Sequence, residues 1–262
     1  MPPTDANADS SPAPVHPGAP VPPGLHGPRA DGEGSRDAPF TGFTIEADDE
    51  DGEDTLDLHL PADFLARFAG GTAYLLDQLP TWGPVATPVG SFHLVPVRIE
   101  DDLPLLHRWM NDPAAARFWE LAGPPSRTEE HLRAQLDGDG RSVPCVGVLD
   151  GRPTSYWEIY RADLDPLARH YPARPHDTGI HLLVGGAADR GRGLGSALLR
   201  AVADLVLDRR PACARVVAEP DLHNTPSVAA FLSAGFRFAA EVDLPGKRAA
   251  LMIRDRLLRD VL

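Results

Sequence analysis

The spacing of apolar residues along this chain alternates between a period of two and a period near 3.6. Phe92-His93-Leu94-Val95-Pro96-Val97 predicts a strand, and residues 103–110 and about 128–136 predict helices, the second with Ser126 as its N-cap. Cys145-Val146-Gly147-Val148-Leu149 and residues 154–160 predict a hairpin, because Asp150-Gly151-Arg152-Pro153 between them is turn chemistry. Phe118-Trp119 is expected to open a loop. Ile180-His181-Leu182-Leu183-Val184 predicts an apolar strand, and Leu194, Ala197, Leu198, Ala201 and Leu205 mark a helix face directly after it. A short buried strand at 214–220 and a helix with Pro226 in its first turn and Gly235 as its stop come next. Two strands, 236–242 and 248–254, close the chain. Strands and helices interleave, which predicts an α/β (α+β) domain over residues 89–262.

The first 88 residues read differently. Residues 1–39 carry ten prolines and almost no large apolar side chain, so they cannot offset their ordering entropy and are expected to be a disordered leader. Residues 40–88 are expected to form a small extension: Phe43-Thr44-Ile45 and Leu56-Asp57-Leu58-His59-Leu60 alternate like half-buried strands, and 64–79 reads as a short helix. The net charge of −13 belongs mostly to this part, since residues 1–60 hold 13 acidic and 2 basic side chains. The remainder is nearly neutral and carries no basic footprint for nucleic acid or anionic lipid. No apolar run has membrane-helix length, and the start shows no basic and apolar signal pattern, so a cytoplasmic protein is expected. Cys145 and Cys213 are too few for a disulfide framework or a zinc site and are expected to be reduced core thiols, with no metal.

Candidate chemistry centres on Arg190-Gly191-Arg192-Gly193-Leu194-Gly195-Ser196, between the apolar strand and its helix. Glycine allows close backbone approach, and the first N–H groups of a helix lack intrahelical partners, so the segment suits a phosphate or pyrophosphate. There is no Gly-Lys-Ser/Thr, and the glycine spacing is wrong for a dinucleotide fingerprint.

Arg190-x-x-Gly193-x-Gly195 resembles the pyrophosphate loop of the GNAT acyltransferases, and strand, helix, strand, helix ending in Ala234-Gly235-Phe236, and strand resemble the C-terminal half of that fold. Tyr156-Trp157-Glu158-Ile159-Tyr160, His170-Tyr171, residues 176–185, Glu219-Pro220, Asn224 and residues 244–252 together resemble the siderophore N-acyltransferase branch, of the aerobactin N6-hydroxylysine and mycobactin lysine types. The resemblance covers about residues 90–260. It implies a mixed, mostly antiparallel central sheet splayed at an acyl-CoA cleft and flanked by helices. It further implies acetyl-CoA or another acyl-CoA bound by Leu182, Val184, Arg190, Gly191, Arg192, Gly193, Leu194, Gly195, Ser196 and Asn224. Asn224 equally reads as a helix cap. Two departures concern the acceptor: Gly246 stands where a histidine is usual before Lys247, and Asp177-Thr178-Gly179 where Asp-Arg-Gly is frequent.

The implied acceptor is a small hydroxylamine, N6-hydroxylysine or an N-hydroxy-diamine. A free lysine amine, with a pKa of about 10.4, needs deprotonation; a hydroxylamine is already neutral. The enzyme must orient that nitrogen, accept one proton and polarise the thioester, the last from N–H groups near Leu182 and Val184. His181 suits a general base, or a packed core histidine. Asp177 is a candidate to orient His181 or hold the acceptor, although full extension would part the two by roughly 13 Å unless the chain turns at Gly179. Glu158 and His176 are likewise candidates to orient His181 or to bind the acceptor, Trp119 to line the acceptor or acyl pocket, and Lys247 with Arg248 to bind an acceptor carboxylate or the CoA 3′-phosphate, or else to form a solvated hairpin pair. His107, Trp109 and Phe118 are candidates to line a pocket or to pack in the core. A homodimer or contacts with other pathway enzymes are possible partners. An acyltransferase of ordinary amines and a non-catalytic CoA-binding module are the competing readings.

Overall fold

In the computed structural model residues 78–259 are described. The leader, the strands expected at 43–45 and 56–60 and nearly all of the helix expected at 64–79 lie outside the described residues; Leu79 belongs to a single 3-10 turn, Leu79–Thr81. Eight strands form one sheet: β1 (Val85–Thr87), β2 (Gly90–Pro96), β3 (Ser142–Leu149), β4 (Arg152–Arg161), β5 (Thr178–Val184), β6 (Arg215–Ala218), β7 (Arg237–Leu244) and β8 (Lys247–Asp255), in the order β1-β2-β3-β4-β5-β6-β8-β7. Neighbours are antiparallel except β5 and β6, which run parallel. The sheet thus begins at Val85, four residues before the expected domain start at 89.

Five α-helices flank the sheet among the described residues: α1 (Ile99–Met110), α2 (Pro113–Trp119), α3 (Pro125–Leu136), α4 (Leu194–Arg209) and α5 (Thr225–Ser233). Two depart from expectation. Helix α1 starts before Pro104 rather than around it, with Glu100, Asp101 and Asp102 in the first turn, where the helix dipole favours acids. The loop expected at Phe118-Trp119 is the end of α2, a helix of under two turns that Asp112 caps by accepting from the Ala114 N–H at 2.9 Å, with Pro113 at its first position. Helix α3 begins after Pro124, not after Ser126.

The β3–β4 hairpin shows how local chemistry sets register. Asp150 and Gly151 take φ of 48° and 78°, the left-handed pair that a two-residue turn needs to match strand twist. Side chains then alternate along β4. Trp157 and Ile159 enter the core beneath α4 and α5, while Tyr156 packs with Leu106, Met110 and Leu132 of α1 and α3 on the opposite face. Leu198, Leu199, Val202 and Val206 of α4 are fully buried, each stabilising by about 1.5–3 kcal/mol. Trp109 belongs to the core rather than to a pocket: it covers Gly185, where a Cβ would lie 2.1 Å from the indole. His107 bonds Asn111 within its own helix. Cys145 and Cys213 are buried free thiols. No helix among the described residues is long and apolar enough to cross a membrane.

One irregularity creates the site. Strand β5 pairs with β4 along its whole length, to Ser155↔Val184, but with β6 only at Thr178↔Val216 and Gly179↔Val217. Beyond Gly179 the two parallel strands diverge, so the later residues of β5 have no ladder partner on that side.

Candidate active site

The gap between β5 and β6 opens into two clefts that share Phe118, Trp119, Leu182, Asn224, Ser227 and Phe231, and so are continuous. The larger, about 600 Å³ and mostly apolar, runs from Leu182 and Val184 to Arg190, Gly191, Gly193, Gly195 and Ser196 at the start of α4. Gly191 and Gly193 have φ of 70° and 78°, with nothing within 4 Å of where a Cβ would project. No side chain caps the sixteen-residue helix α4, which leaves its first N–H groups for an anion in the cleft.

The loop residues differ in what they offer. The Arg190 guanidinium is engaged by the protein: it donates to the carbonyls of Val184 and Gly185, each at 2.9 Å, and to Asp112 Oδ1 at 2.6 Å. The Arg190 guanidinium therefore shapes the loop at the end of β5, and the residue also lines the larger cleft. The Leu194 side chain is likewise buried in the core, leaving only its backbone for a ligand. Arg192 is exposed. Asn224 lines both clefts and also caps α5, accepting from the Ser227 N–H at 3.3 Å.

The smaller cleft, about 250 Å³, is lined by Trp119, His131, Glu158, His181, Glu219, Asp221 and Lys247. His181 stands at its centre. Nδ1 is 2.7 Å from Glu158 Oε2 and Nε2 is 2.5 Å from Glu219 Oε1. With both carboxyls ionised each oxygen can only accept, so both ring nitrogens would donate and the ring would be an imidazolium. Burial works to lower the His181 pKa, but the Glu219 and Glu158 charges prevail and raise it to about 10. Burial works to raise both carboxyls. Hydrogen bonds from His131 and His181 nevertheless hold Glu158 well below the usual carboxylate range, and His181 with Lys247 holds Glu219 down at about 2. Both ring nitrogens of His181, the expected base, thus face carboxylate oxygens.

The surroundings hold this arrangement in place. Glu158 Oε1 accepts from His131 Nε2 at 2.6 Å, Gln135 Nε2 at 2.9 Å and Tyr156 Oη at 2.9 Å. Glu219 Oε2 accepts from Tyr160 Oη at 2.8 Å, and Lys247 Nζ donates to the Glu219 carbonyl at 2.8 Å. Trp119 meets the His181 ring edge-on and Tyr160 stacks beside it, with centroids at 6.2 and 4.8 Å. A Cβ on Gly179 would lie 2.0 Å from the Tyr160 ring, so only glycine lets that ring approach β5.

Asp177 and His176 are not part of the site. Asp177 is fully buried in an ion pair with Arg215 and also accepts from Tyr171 Oη and from the Arg174 N–H at 3.1 and 2.9 Å. The chain does not turn at Gly179, which is paired within β5, so Asp177 cannot reach His181. His176, in the left-handed region at φ 68°, bonds Asp163 through its backbone and does not line either cleft. Both precede β5 at its far end. Glu219 and Tyr160 figure in the sequence reading only as parts of the resembling motifs, without a site role, and His131 not at all. An acid ending the apolar run Val216-Val217-Ala218 was the available signal for Glu219, whereas His131 gave none.

A model of the acetyltransferase (GNAT) domain matches residues 98–244. The chain is similar to a lysine N-acyltransferase, MbtK, of Mycobacterium sp. (strain MCS), with 35% identity over 68% of this chain and 72% of that protein. It is similar to an N(6)-hydroxylysine O-acetyltransferase of Escherichia coli, 38% identical over 57% of this chain and 47% of the relative. Among solved structures it resembles the aminoglycoside enzyme AAC(6')-Ib in complex with paromomycin and acetyl-CoA, at TM-score 0.58 and 25% identity over 64% of this chain and 96% of that one. The domain match spans the splayed strands, the glycine loop and the lining of both clefts apart from Lys247, and this chain belongs to the GNAT acetyltransferase family and is an acyltransferase.

Proposed function

We propose that this chain transfers an acyl group from acyl-CoA to the nitrogen of an N-hydroxylated amine, N6-hydroxylysine or an N-hydroxy-diamine, to give a hydroxamate for siderophore assembly. The observation that carries this reading is the placement of His181 between Glu158 and Glu219, each ring nitrogen at a carboxylate oxygen. Two flanking carboxylates favour the cationic ring, which leaves weak carboxylates as the bases of the site. Such a site suits a nucleophile that is already neutral and poorly serves an ammonium with a pKa of about 10.4. Relatives named for N(6)-hydroxylysine and hydroxyornithine acyl transfer support this acceptor class, and the one named for lysine N-acyl transfer supports the lysine skeleton.

In this reading the α4 N-terminus, with Gly191, Gly193, Gly195 and Ser196, holds the CoA pyrophosphate, and the arm follows the larger cleft along Val184 and Leu182. The thioester carbonyl meets a β5 N–H near Leu182. Glu219, with carboxylate lone pairs to spare, accepts the proton that the acceptor nitrogen loses as the C–N bond forms; the C–S bond then breaks, CoA leaves as the thiolate, and that proton passes to its sulfur. Imidazolium His181 orients Glu219 and offsets negative charge developing on the carbonyl oxygen. Trp119 and Lys247 flank the acceptor. Residues 89–262 act as the catalytic domain, in the cytoplasm.

The test is CoA release with acetyl-CoA and N6-hydroxylysine or N-hydroxycadaverine, compared with lysine and cadaverine, with hydroxamate read by its iron colour. Turnover confined to the hydroxylated acceptors supports the reading. Equal or faster turnover of plain amines, increasing with pH, means an ordinary amine acetyltransferase. Tight CoA binding without turnover of any acceptor means a CoA-binding module.

A further inference from the structure

His131 lies on α3, far along the chain from the strands that build the site, yet its ring forms part of the smaller cleft and contacts Glu158 at 2.6 Å. Its side chain is about 30% exposed, whereas that of Glu158 is 9% exposed. The two oxygens of Glu158 are divided: Oε1 takes His131, Gln135 and Tyr156, while Oε2 takes His181. The Gln135 amide is itself fixed, because its Oε1 accepts from Ser142 Oγ at 2.6 Å, which turns its Nε2 toward Glu158. One buried carboxylate therefore links a partly solvent-facing imidazole to the imidazole at the reaction centre. We propose that His131 is a positioning residue that acts through Glu158 to set how tightly His181 holds its proton.

The physical argument is competition for one negative charge. Donors on Oε1 draw down the electron density available at Oε2, and a positive charge on His131 would offset the Glu158 charge that His181 feels. Loss of the His131 donor leaves more of that charge on Oε2, so His181 binds its proton more tightly. Other groups around His181 do not depend on His131: Glu219 at the end of β6 with Lys247 of β8, Tyr160 of β4, the Trp119 ring of α2 and, at longer range, Asp165. Around His131 itself the polar partners are Glu158 and Gln135, with Tyr156 beyond them. The inference extends the role assigned to His181 above, but its test does not require the acceptor to be known.

The experiment follows the His181 ring nitrogens by ¹⁵N NMR against pH in the full chain, for the wild type, His131→Leu and His131→Gln. With Leu, the His181 titration moves up by about one pH unit, the shift expected for loss of a hydrogen bond to a charged group. With Gln, whose amide donates to Glu158, it returns to within a few tenths of a unit of wild type. The alkaline limb of kcat/KM follows the same order. His131→Asn, a polar side chain too short to reach Glu158, gives the same upward move and is read in place of Leu if that variant fails to fold. A His181 titration unmoved in the folded Leu or Asn variant overturns the proposal. A shifted titration with an unaltered pH–rate profile retains the coupling and rejects instead the catalytic part assigned to His181.

Discussion

Glu219→Gln separates the two roles that a histidine between carboxylates can play. The substitution keeps the side chain's shape and an oxygen that can still accept from Tyr160, but removes the charge 2.5 Å from His181 Nε2. An opposite charge at that range is worth about one to three pKa units, so His181 should fall from about 10 toward its ordinary 6.5, with Glu158 holding it partway. Loss of the proton acceptor should lower kcat/KM by about 10²–10⁴-fold, the range of general base catalysis. The assay is CoA release with an N-hydroxylated acceptor at subsaturating concentration between pH 6 and 10.5, corrected for the acceptor's own titration. The wild type should be flat through neutrality and decline as His181 loses its proton near pH 10. In the variant the residual activity should decline at least about one unit earlier. A wild-type profile that instead climbs through an apparent pKa near 6.5 and stays level above it would mean that His181 works as a neutral base and that the clamp opens on binding, which refutes the reasoning.

Asp177→Asn should be a stability variant and not a binding variant: it leaves Arg215 buried without its counter-charge, at a cost of about 3–5 kcal/mol read by denaturant unfolding, while KM for both substrates holds in the folded fraction. Gly179→Ala forces a methyl group against the Tyr160 ring, costing about 1–3 kcal/mol and lowering kcat as the Tyr160–Glu219 hydrogen bond shifts. The site also links pH to stability. Glu219, depressed to about 2, stabilises the fold fully above its ordinary 4.5 and loses that contribution as pH falls toward 2; His181, raised to about 10, contributes fully below 6.5 and loses it as pH rises through 10. Unfolding free energy followed from pH 2 to 10.5 should drop at both ends, and His181→Gln should flatten the alkaline drop.

Much of the architecture was legible along the chain because it rests on local chemistry. The Asp150-Gly151 turn, the strand-to-helix passage at 180–205 and the stop at Gly235 each depend on backbone preferences and on burial of one face, which alternation reveals directly. Helix α2 escaped notice because seven residues give too little periodicity, although its Asp-Pro start was visible in principle. The glycine loop, which lines one end of the larger cleft, was legible for the same local reason. What arises between strands could not be read. The register Glu158↔His181 puts those two side chains together across β4 and β5, and the divergence after Gly179 lets Glu219 approach His181 from β6. The sequence contains these residues but not the distances among them. A proton on His181 depends on two carboxylates brought from 23 and 38 positions away. Likewise Asp177, four residues from His181 and an obvious partner by proximity, pairs with Arg215, while the ladder with β4 keeps residues 178–184 extended and parts the two. Local sequence determined which elements form and where an anion can rest; tertiary packing alone decided which charges meet, and so whether the central histidine holds or gives up its proton.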